Sequence, residues 1–241
     1  LRALIISDLH LDPGAPARTQ AFLRLLRTDT VSADAFYVLG DLFEAWIGDD
    51  DDAPLAREVQ TAISEVAARG TACYFMAGNR DFLVGERFAA NTGMTILSDP
   101  TVHSLGGEDT LLMHGDTLCT GDTDYQIVRQ QLHAPAWQAG FLAQPLAARR
   151  EFARAARAES AAATAGKAEE IMDVAPDEVR RVMAAAGVRR LVHGHTHRPA
   201  VHELDQDGSA ARRIVLGAWH DQGWRLWLDP DGSERLEAFA L

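Results

Sequence analysis

The chain has 241 residues, 47% of them hydrophobic and 24% charged, with a formal net charge of −12. These totals fit a soluble globular protein whose core is large enough to stand without disulfides. An acidic chain lacks the Lys and Arg surplus that meets a phosphate backbone, which excludes broad nucleic-acid binding, and no nucleic-acid partner is expected.

In chain order, the first apolar run is Ala3–Ile6, which breaks at Ser7-Asp8. It is too short for the apolar segment of a signal peptide. No later stretch approaches the ~20 residues that span a bilayer, so a cytoplasmic protein is expected. The spacing of Phe22, Leu25 and Leu26 predicts a helix over Arg18–Arg27. Ala35–Leu39 reads as a second strand, and Leu55, Val59, Ile63 and Val66 place a helix over Ala53–Ala68. Gly70 stops that helix. Strands follow at Ala72–Ala77, Thr95–Leu97, Val102–Leu105 and, after a Gly106-Gly107 turn, Thr110–Met113. Such alternation implies parallel strands covered by helices. Cys73 and Cys119 lie in or beside apolar stretches without Cys-x-x-Cys spacing, so buried thiols in a reducing compartment are expected.

From about Asp122 to Glu170 the sequence is rich in Ala, Gln and Arg and has no strand-like run. Pro145 suits the first turn of a long helix reaching about Ala163. The stretch 122–170 is read as a helical cap inserted in a core formed by 1–121 and 171–241. Then come a helix over Asp177–Ala186, stopped at Gly187, and a strand at Arg190–Val192. The end reads as a β-meander of Val201–Leu204, Arg213–Trp219, Trp224–Leu228 and Arg235–Phe239, with turns at Asp207-Gly208 and Pro230-Asp231-Gly232.

Five polar segments stand directly behind apolar runs: Asp8-Leu9-His10, Gly40-Asp41, Gly78-Asn79-Arg80-Asp81, His114-Gly115-Asp116 and Gly194-His195-Thr196-His197. Singly, each is as consistent with a turn or a helix cap. Together they bring seven candidate ligands, Asp8, His10, Asp41, Asn79, His114, His195 and His197, to the C-terminal ends of five strands. That edge is where α/β sheets bind ligands. Two Asp, one Asn and four His make a nitrogen and oxygen set without thiolate, which favours Mn or Fe over structural Zn. Side-chain alternation puts Asp8 and His10 on one side of an extended segment, and His195 and His197 likewise. Asp41, beyond Gly40, is placed to reach two ions, and Gly115 and Gly194 allow close backbone approach beside the ligands. His103, His133, His202 and His220 have no such context, and His193 is read as structural or as support for the ligands. Two divalent ions against two Asp leave a positive centre for an anionic substrate, and such pairs acidify water for in-line attack on phosphorus.

The order Asp-x-His, Gly-Asp, Gly-Asn, His-Gly-Asp, Gly-His-x-His resembles the calcineurin-like metallophosphoesterase superfamily. The resemblance implies an α/β fold, the αββα sandwich, with a helical cap insertion. It implies that Asp8, His10 and His197 hold one metal, that Asn79, His114 and His195 hold the second, and that Asp41 bridges them. Two divalent ions are expected, with Mn2+ the foremost candidate, and Asp41, Asn79, His114, His195 and Arg80 form the expected catalytic set. Most of the superfamily has His after the Asn, where it helps to protonate the leaving group. This chain has Arg80. Arginine is a poor acid and a good bidentate phosphate clamp. That suits a diphosphate, whose leaving group is itself a phosphate.

Longer segments narrow the resemblance: Ser7 to Leu11, Gly40-Asp41-Leu42-Phe43-Glu44-Ala45-Trp46-Ile47-Gly48-Asp49-Asp50, Gly78 to Leu83, and Asp122-Thr123-Asp124-Tyr125-Gln126. In order and spacing, from residue 3 to about residue 228, the chain is similar to the UDP-2,3-diacylglucosamine hydrolases. That implies hydrolysis of UDP-2,3-diacylglucosamine at its diphosphate, giving UMP and 2,3-diacylglucosamine 1-phosphate, a lipid A step in a Gram-negative bacterium. Arg157, Ser160, Thr164 and Lys167 share one helical face. The resemblance implies substrate contacts from Ser160, Thr164 and Lys167 together with Asn79, Arg80, Asp122 and His195, and the stripe adds Arg157. Trp137, Phe141, Leu142, Leu146 and Phe152 give the cap an apolar side. Part of it is expected to pack on the core, and part, Phe141 foremost, to line a groove for two acyl chains at roughly 0.8 kcal/mol per buried CH₂. Arg149, Arg150 and Arg154 are candidates to meet an anionic lipid surface. The expected protein is a monomer, peripheral on the cytoplasmic face of the inner membrane.

Two other readings compete. One is a superfamily phosphodiesterase acting on nucleotides, against which Arg80 and the insertion argue. The other is a non-catalytic scaffold of the same fold, which missing ligands would mark; all seven are present.

Overall fold

The structure, a computed structural model, describes residues 1–164, 173–206 and 208–241, apart from the side chains of 161–164. Its first sheet takes β1 (Ala3–Ile6), β2 (Ala35–Leu39), β3 (Ala72–Met76) and β4 (Thr95–Leu97) in parallel, each joined to the next through a helical connection. The intervening helices are α1 (Pro16–Thr28), α2 (Pro54–Ala68) and α3 (Glu86–Thr92). The central strands β1 and β2 are buried on both faces, as crossover connections require, while β4 at the edge is largely exposed. Leu4, Ile6, Phe36, Val38 and Phe75 meet Phe22, Leu25, Val59, Ile63, Val66 and Phe88 from the helices.

The second sheet takes β5 (Thr101–Leu105), β6 (Glu108–Met113), β7 (Arg190–His193), β8 (Ala200–Gln206) and β9 (Ser209–Val215), in the order β5-β6-β7-β9-β8. The inner faces of the two sheets meet through Ile5, Tyr37, Leu39 and Met76 on one side and Leu105, Leu112, Val192 and Ile214 on the other. Helix α7 (Pro176–Ala186) covers the outer face of the second sheet, with Val179 and Met183 against Leu111, Met113 and Leu191. The layers are helix, sheet, sheet, helix, as the sequence resemblance implies.

The C-terminal meander does not form as one unit. The β8–β9 hairpin pairs in antiparallel register, but β9 also pairs with β7 in parallel. The chain then crosses to the first sheet, where β10 (Gln222–Leu228) lies antiparallel to β1 and β11 (Glu234–Ala240) closes the edge. The crossover carries Leu216, Ala218 and Trp219, all buried. An apolar connection through the core has the composition of a strand, so its pattern reads as a continuation of β9.

The stretch from residue 123 to residue 164 is α4 (Thr123–Leu132), α5 (Pro135–Leu142) and α6 (Leu146–Thr164). Pro145 precedes α6 and accepts from the Ala148 and Arg149 N–H groups. An aromatic cluster fastens these helices: Phe82 against His133 and Trp137, and Trp137 and Phe152 against Phe141. Arg149 is 2% exposed, held by Asp50 and by the Ile47 and Gln144 carbonyls. Arg150 pairs with Asp51 and Asp52. Their acidic partners precede α2, far along the chain, which is why the sequence reads both arginines as free for lipid. Among the described residues no helix is long and apolar enough to cross a membrane.

Candidate metal centre

Three of the five polar segments follow strands of the first sheet, β1, β2 and β3. The other two follow β6 and β7 of the second, so the site lies across the ends of both sheets. Among the described residues, five other than glycine have positive φ: Asp8 (55°), His10 (49°), Asp41 (53°), His195 (66°) and His197 (59°). All five are candidate ligands. Left-handed backbone costs a non-glycine residue about 1–3 kcal/mol and persists only where its surroundings enforce it. This corrects the reading by strand alternation: β1 ends at Ile6, and Asp8 and His10 converge through left-handed backbone beyond it.

The loops are tied to one another. Asp8 N–H donates to the Gly40 carbonyl at 3.0 Å, His10 N–H to Asp41 at 2.9 Å, and Gly194 N–H to His114 at 2.8 Å. The buried Asp81 carboxylate accepts the N–H groups of Gly78 at 2.8 Å and Leu42 at 2.7 Å. A Cβ at Gly78 would collide with the Asp41 carboxylate, and one at Gly194 with Asp8 and Ser7, so only glycine fits at either position.

The ligand atoms form two sets that meet at Asp41. In the first, His10 Nε2 stands 3.2 Å from His197 Nε2, and His197 Nε2 stands 3.4 Å from Asp8 Oδ1. In the second, Asn79 Oδ1 lies 3.0 Å from both His114 Nε2 and His195 Nδ1. Asp41 turns Oδ2 to His10 Nε2 and Oδ1 to His114 Nε2, each at 3.8 Å. Ligand atoms about 2.1 Å from one cation stand about 3.0–3.4 Å apart, so these spacings suit a bound ion. Two imidazole nitrogens at 3.2 Å also need a proton or a cation between them. Asp8 joins both Asp8–His10–His197 and Asp8–Asp41–His114 as groups able to hold an ion, so it lies nearer the second set than the sequence implied.

The local field favours cations. Burial alone would raise Asp8, but the His197, His114 and His10 rings hold its carboxyl far below the usual range. Burial would lower His114, yet Asp41, Asp8 and Asp116 push it up to about 10. Burial, followed by the charge on His114, takes His195 down to about 4. Burial and the neighbouring Asp41 raise Asp81 to about 7.

Arg80 arrives with the site. Its N–H donates to Asp41 Oδ1 at 2.8 Å, and its Nη2 reaches Ser160 Oγ on α6 at 3.4 Å. Arg157 is brought to the same side but pairs with Asp12 at 3.1 Å. Asp122 caps α4, accepting from Tyr125 N–H at 3.1 Å. Phe141 is 5% exposed inside the aromatic cluster. The side chain of Thr164 and all of Lys167 lie outside the described residues.

Three neighbours escaped the sequence reading. Glu44 Oε2 stands 3.0 Å from His10 Nδ1, off the axis of a straight hydrogen bond, and its Oε1 faces Arg80 at 4.0 Å. Its signal was an acid inside an otherwise apolar loop. The Tyr125 ring lies 5.8 Å from His195, and its hydroxyl donates to Asp116 at 2.8 Å. His220 stands beside His10 and His197, behind a crossover that read as strand. His193 is buried against the Gly194 carbonyl and Arg213, in a supporting place. Cys73 and Cys119 are buried free thiols, as expected.

Comparison with known proteins agrees with this geometry. The family model described as Calcineurin-like phosphoesterase matches residues 1–199. A UDP-2,3-diacylglucosamine hydrolase of Xanthomonas oryzae pv. oryzae is 54% identical over 248 residues, covering 100% of both chains. Proteins of the same name from Cellvibrio japonicus, 54% identical over 94% of each chain, and Chromohalobacter salexigens, 51% identical over 100% of this chain and 98% of the other, are similar too. A solved archaeal phosphodiesterase shares the fold at a TM-score of 0.51 and 12% identity, over 99% of this chain and 100% of that one. The chain belongs to the calcineurin-like phosphoesterases and, among them, to the UDP-2,3-diacylglucosamine hydrolase family.

Proposed function

We propose that the chain hydrolyses the diphosphate bond of UDP-2,3-diacylglucosamine, giving UMP and 2,3-diacylglucosamine 1-phosphate. The observation that carries this reading is the geometry of Asp41. Its two carboxylate oxygens face two separate donor sets, and one of them also accepts the N–H of Arg80. A site for two cations is thereby coupled to a phosphate clamp. The names of the 54% identical relatives support the substrate.

Asp8, His10 and His197 would hold one ion and Asn79, His114 and His195 the other, with Asp41 between them. Two divalent ions, when bound, acidify water and polarise a phosphoryl oxygen. The donor set, mixed and without thiolate, favours Mn or Fe over structural Zn, and Mn2+ is the ion proposed. Arg80, tied at its backbone to Asp41, presents a planar guanidinium to the diphosphate. Water adds its oxygen to one phosphorus, the bridging P–O bond breaks, and the departing phosphate keeps the electron pair. A phosphate leaves without the protonation that an alkoxide needs, so an arginine in place of the acid is tolerated.

Residues 122–170 would act as the cap over this site. Asp122, Arg157, Ser160, Thr164 and Lys167 would meet the polar part of the substrate. Phe141, expected from sequence to line the acyl groove, is 5% exposed and packs between Trp137 and Phe152, so acyl contact would fall to its exposed neighbours. Ile127, Val128, Leu142 and Phe152 are exposed on the cap helices and would face lipid. Working on a lipid substrate, the protein would be a monomer peripheral on the cytoplasmic face of the inner membrane. The test is a comparison of UMP release from the lipid nucleotide with turnover of bis(p-nitrophenyl) phosphate. The reading requires kcat/KM for the lipid nucleotide to be far higher; equal values would point to a general phosphodiesterase.

A further inference from the structure

The crossover from β9 to β10 ends beside the metal centre. Trp219, fully buried, donates its backbone N–H to the Asp8 carbonyl at 3.0 Å. The next residue, His220, is exposed. Its ring stacks nearly parallel to His10, at 6.3 Å and 6°, and meets His197 edge-on at 5.5 Å. His220 therefore lines the rim of the set that would hold the first cation without belonging to it.

Its protonation pattern is fixed by a neighbour on α1. Arg18 Nη2 lies 3.1 Å from His220 Nδ1, while Arg18 Nη1 donates to the His10 carbonyl at 3.3 Å. A guanidinium has donors and no acceptor. His220 Nδ1 must therefore accept, and the ring, holding one proton, carries it on Nε2. That Nε2–H has no protein partner among the described residues. One arginine thus anchors the backbone of a ligand and sets which nitrogen is the donor on a third imidazole at the same rim. Such directed donors are what a phosphoryl oxygen needs.

We propose that His220 is a further catalytic residue, whose Nε2–H donates a hydrogen bond to a non-bridging phosphoryl oxygen of the substrate beside the Asp8, His10 and His197 set, with Arg18 as the positioning residue that fixes its tautomer. This rests on the reading of the site as a phosphoester hydrolase.

The test uses the metal-loaded protein, wild type and three variants: His220→Ala, His220→Gln and Arg18→Met. Bound metal, inorganic phosphate affinity by calorimetry and kcat/KM for UMP release are read on each. An exposed side chain can be changed without unfolding the chain, and the melting curve checks this. With a charged acceptor, His220→Ala is expected to lose about tenfold or more in kcat/KM and in phosphate affinity, with full metal content. His220→Gln, whose amide can place an N–H near Nε2, recovers part of both. Arg18→Met shows a smaller loss in the same direction. Unchanged kcat/KM and phosphate affinity in His220→Ala would overturn the proposal. So would metal loss in step with activity, which would make His220 a ligand. Absence of UMP release by the wild type would instead refute the substrate reading, and phosphate affinity in the same variants would still decide the role of His220.

Discussion

Asp81 holds Asp41 by its backbone: the Asp81 carboxylate accepts the Asp41 N–H at 3.2 Å, together with those of Leu42 and Gly78. The residue between the two donor sets is thus placed by a buried acid in the next segment. Asp81→Asn sets an amide NH₂ against backbone donors. It is expected to lower stability by about 1–3 kcal/mol and to weaken metal binding. Urea unfolding and metal titration measure the two effects, and wild-type values for both would show that Asp81 does not hold the loop.

Metal binding should release a proton from His114. Burial opposes its charge, but Asp41, Asp8 and Asp116 raise it to about 10 in the metal-free protein. Being raised above the unfolded value of ~6.5, the charged ring contributes stability fully present below that value and lost as pH rises through about 10. A metal ligand must be neutral, so affinity should climb with pH up to about 10, by roughly tenfold per unit. His195, already down at about 4, adds no proton. Calorimetry in buffers of different ionisation enthalpy counts the protons; none released at pH 8 would contradict this account.

Arg80→Lys keeps a charge and loses the planar fork. Because the Arg80 side chain reaches Ser160 and not a metal ligand, the variant should keep its metal while kcat/KM falls about tenfold to a hundredfold. Steady-state kinetics on the metal-replete variant measure this. A loss explained wholly by missing metal would remove the clamp from the mechanism.

On the cap, two phenylalanines should separate packing from substrate contact. Phe141 is 5% exposed and Phe152 is 44% exposed. Phe141→Ala is expected to cost about 3–5 kcal/mol of stability. Phe152→Ala, at a half-exposed edge of the same cluster, should cost much less stability than Phe141→Ala and raise KM for the diacyl substrate more than for a short-chain analogue. Equal KM changes on both substrates would argue against acyl contact at that face.

Most of the centre was legible because ligands that end strands are marked twice, by an apolar run before them and by their own chemistry. Asp8, Asp41 and His114 are of this kind. The left-handed backbone at Asp8, His10, Asp41, His195 and His197 was not legible: Asp and His enter that region more often than most residues, but only the loops behind these five enforce it. Arg149 looked like a surface cation because its partner, Asp50, lies 99 positions away in sequence. His220 was hidden by Trp219 and Leu216, whose burial in a crossover imitates a strand.

The role proposed for Asp41, joining two cations into one hydrolytic site, is tested most directly by stepwise return of Mn2+ to the metal-stripped protein while UMP release from UDP-2,3-diacylglucosamine is followed. Release is expected to be negligible without metal and full only at two ions per chain. Release that persists without metal, or that saturates at a single ion, would contradict that role.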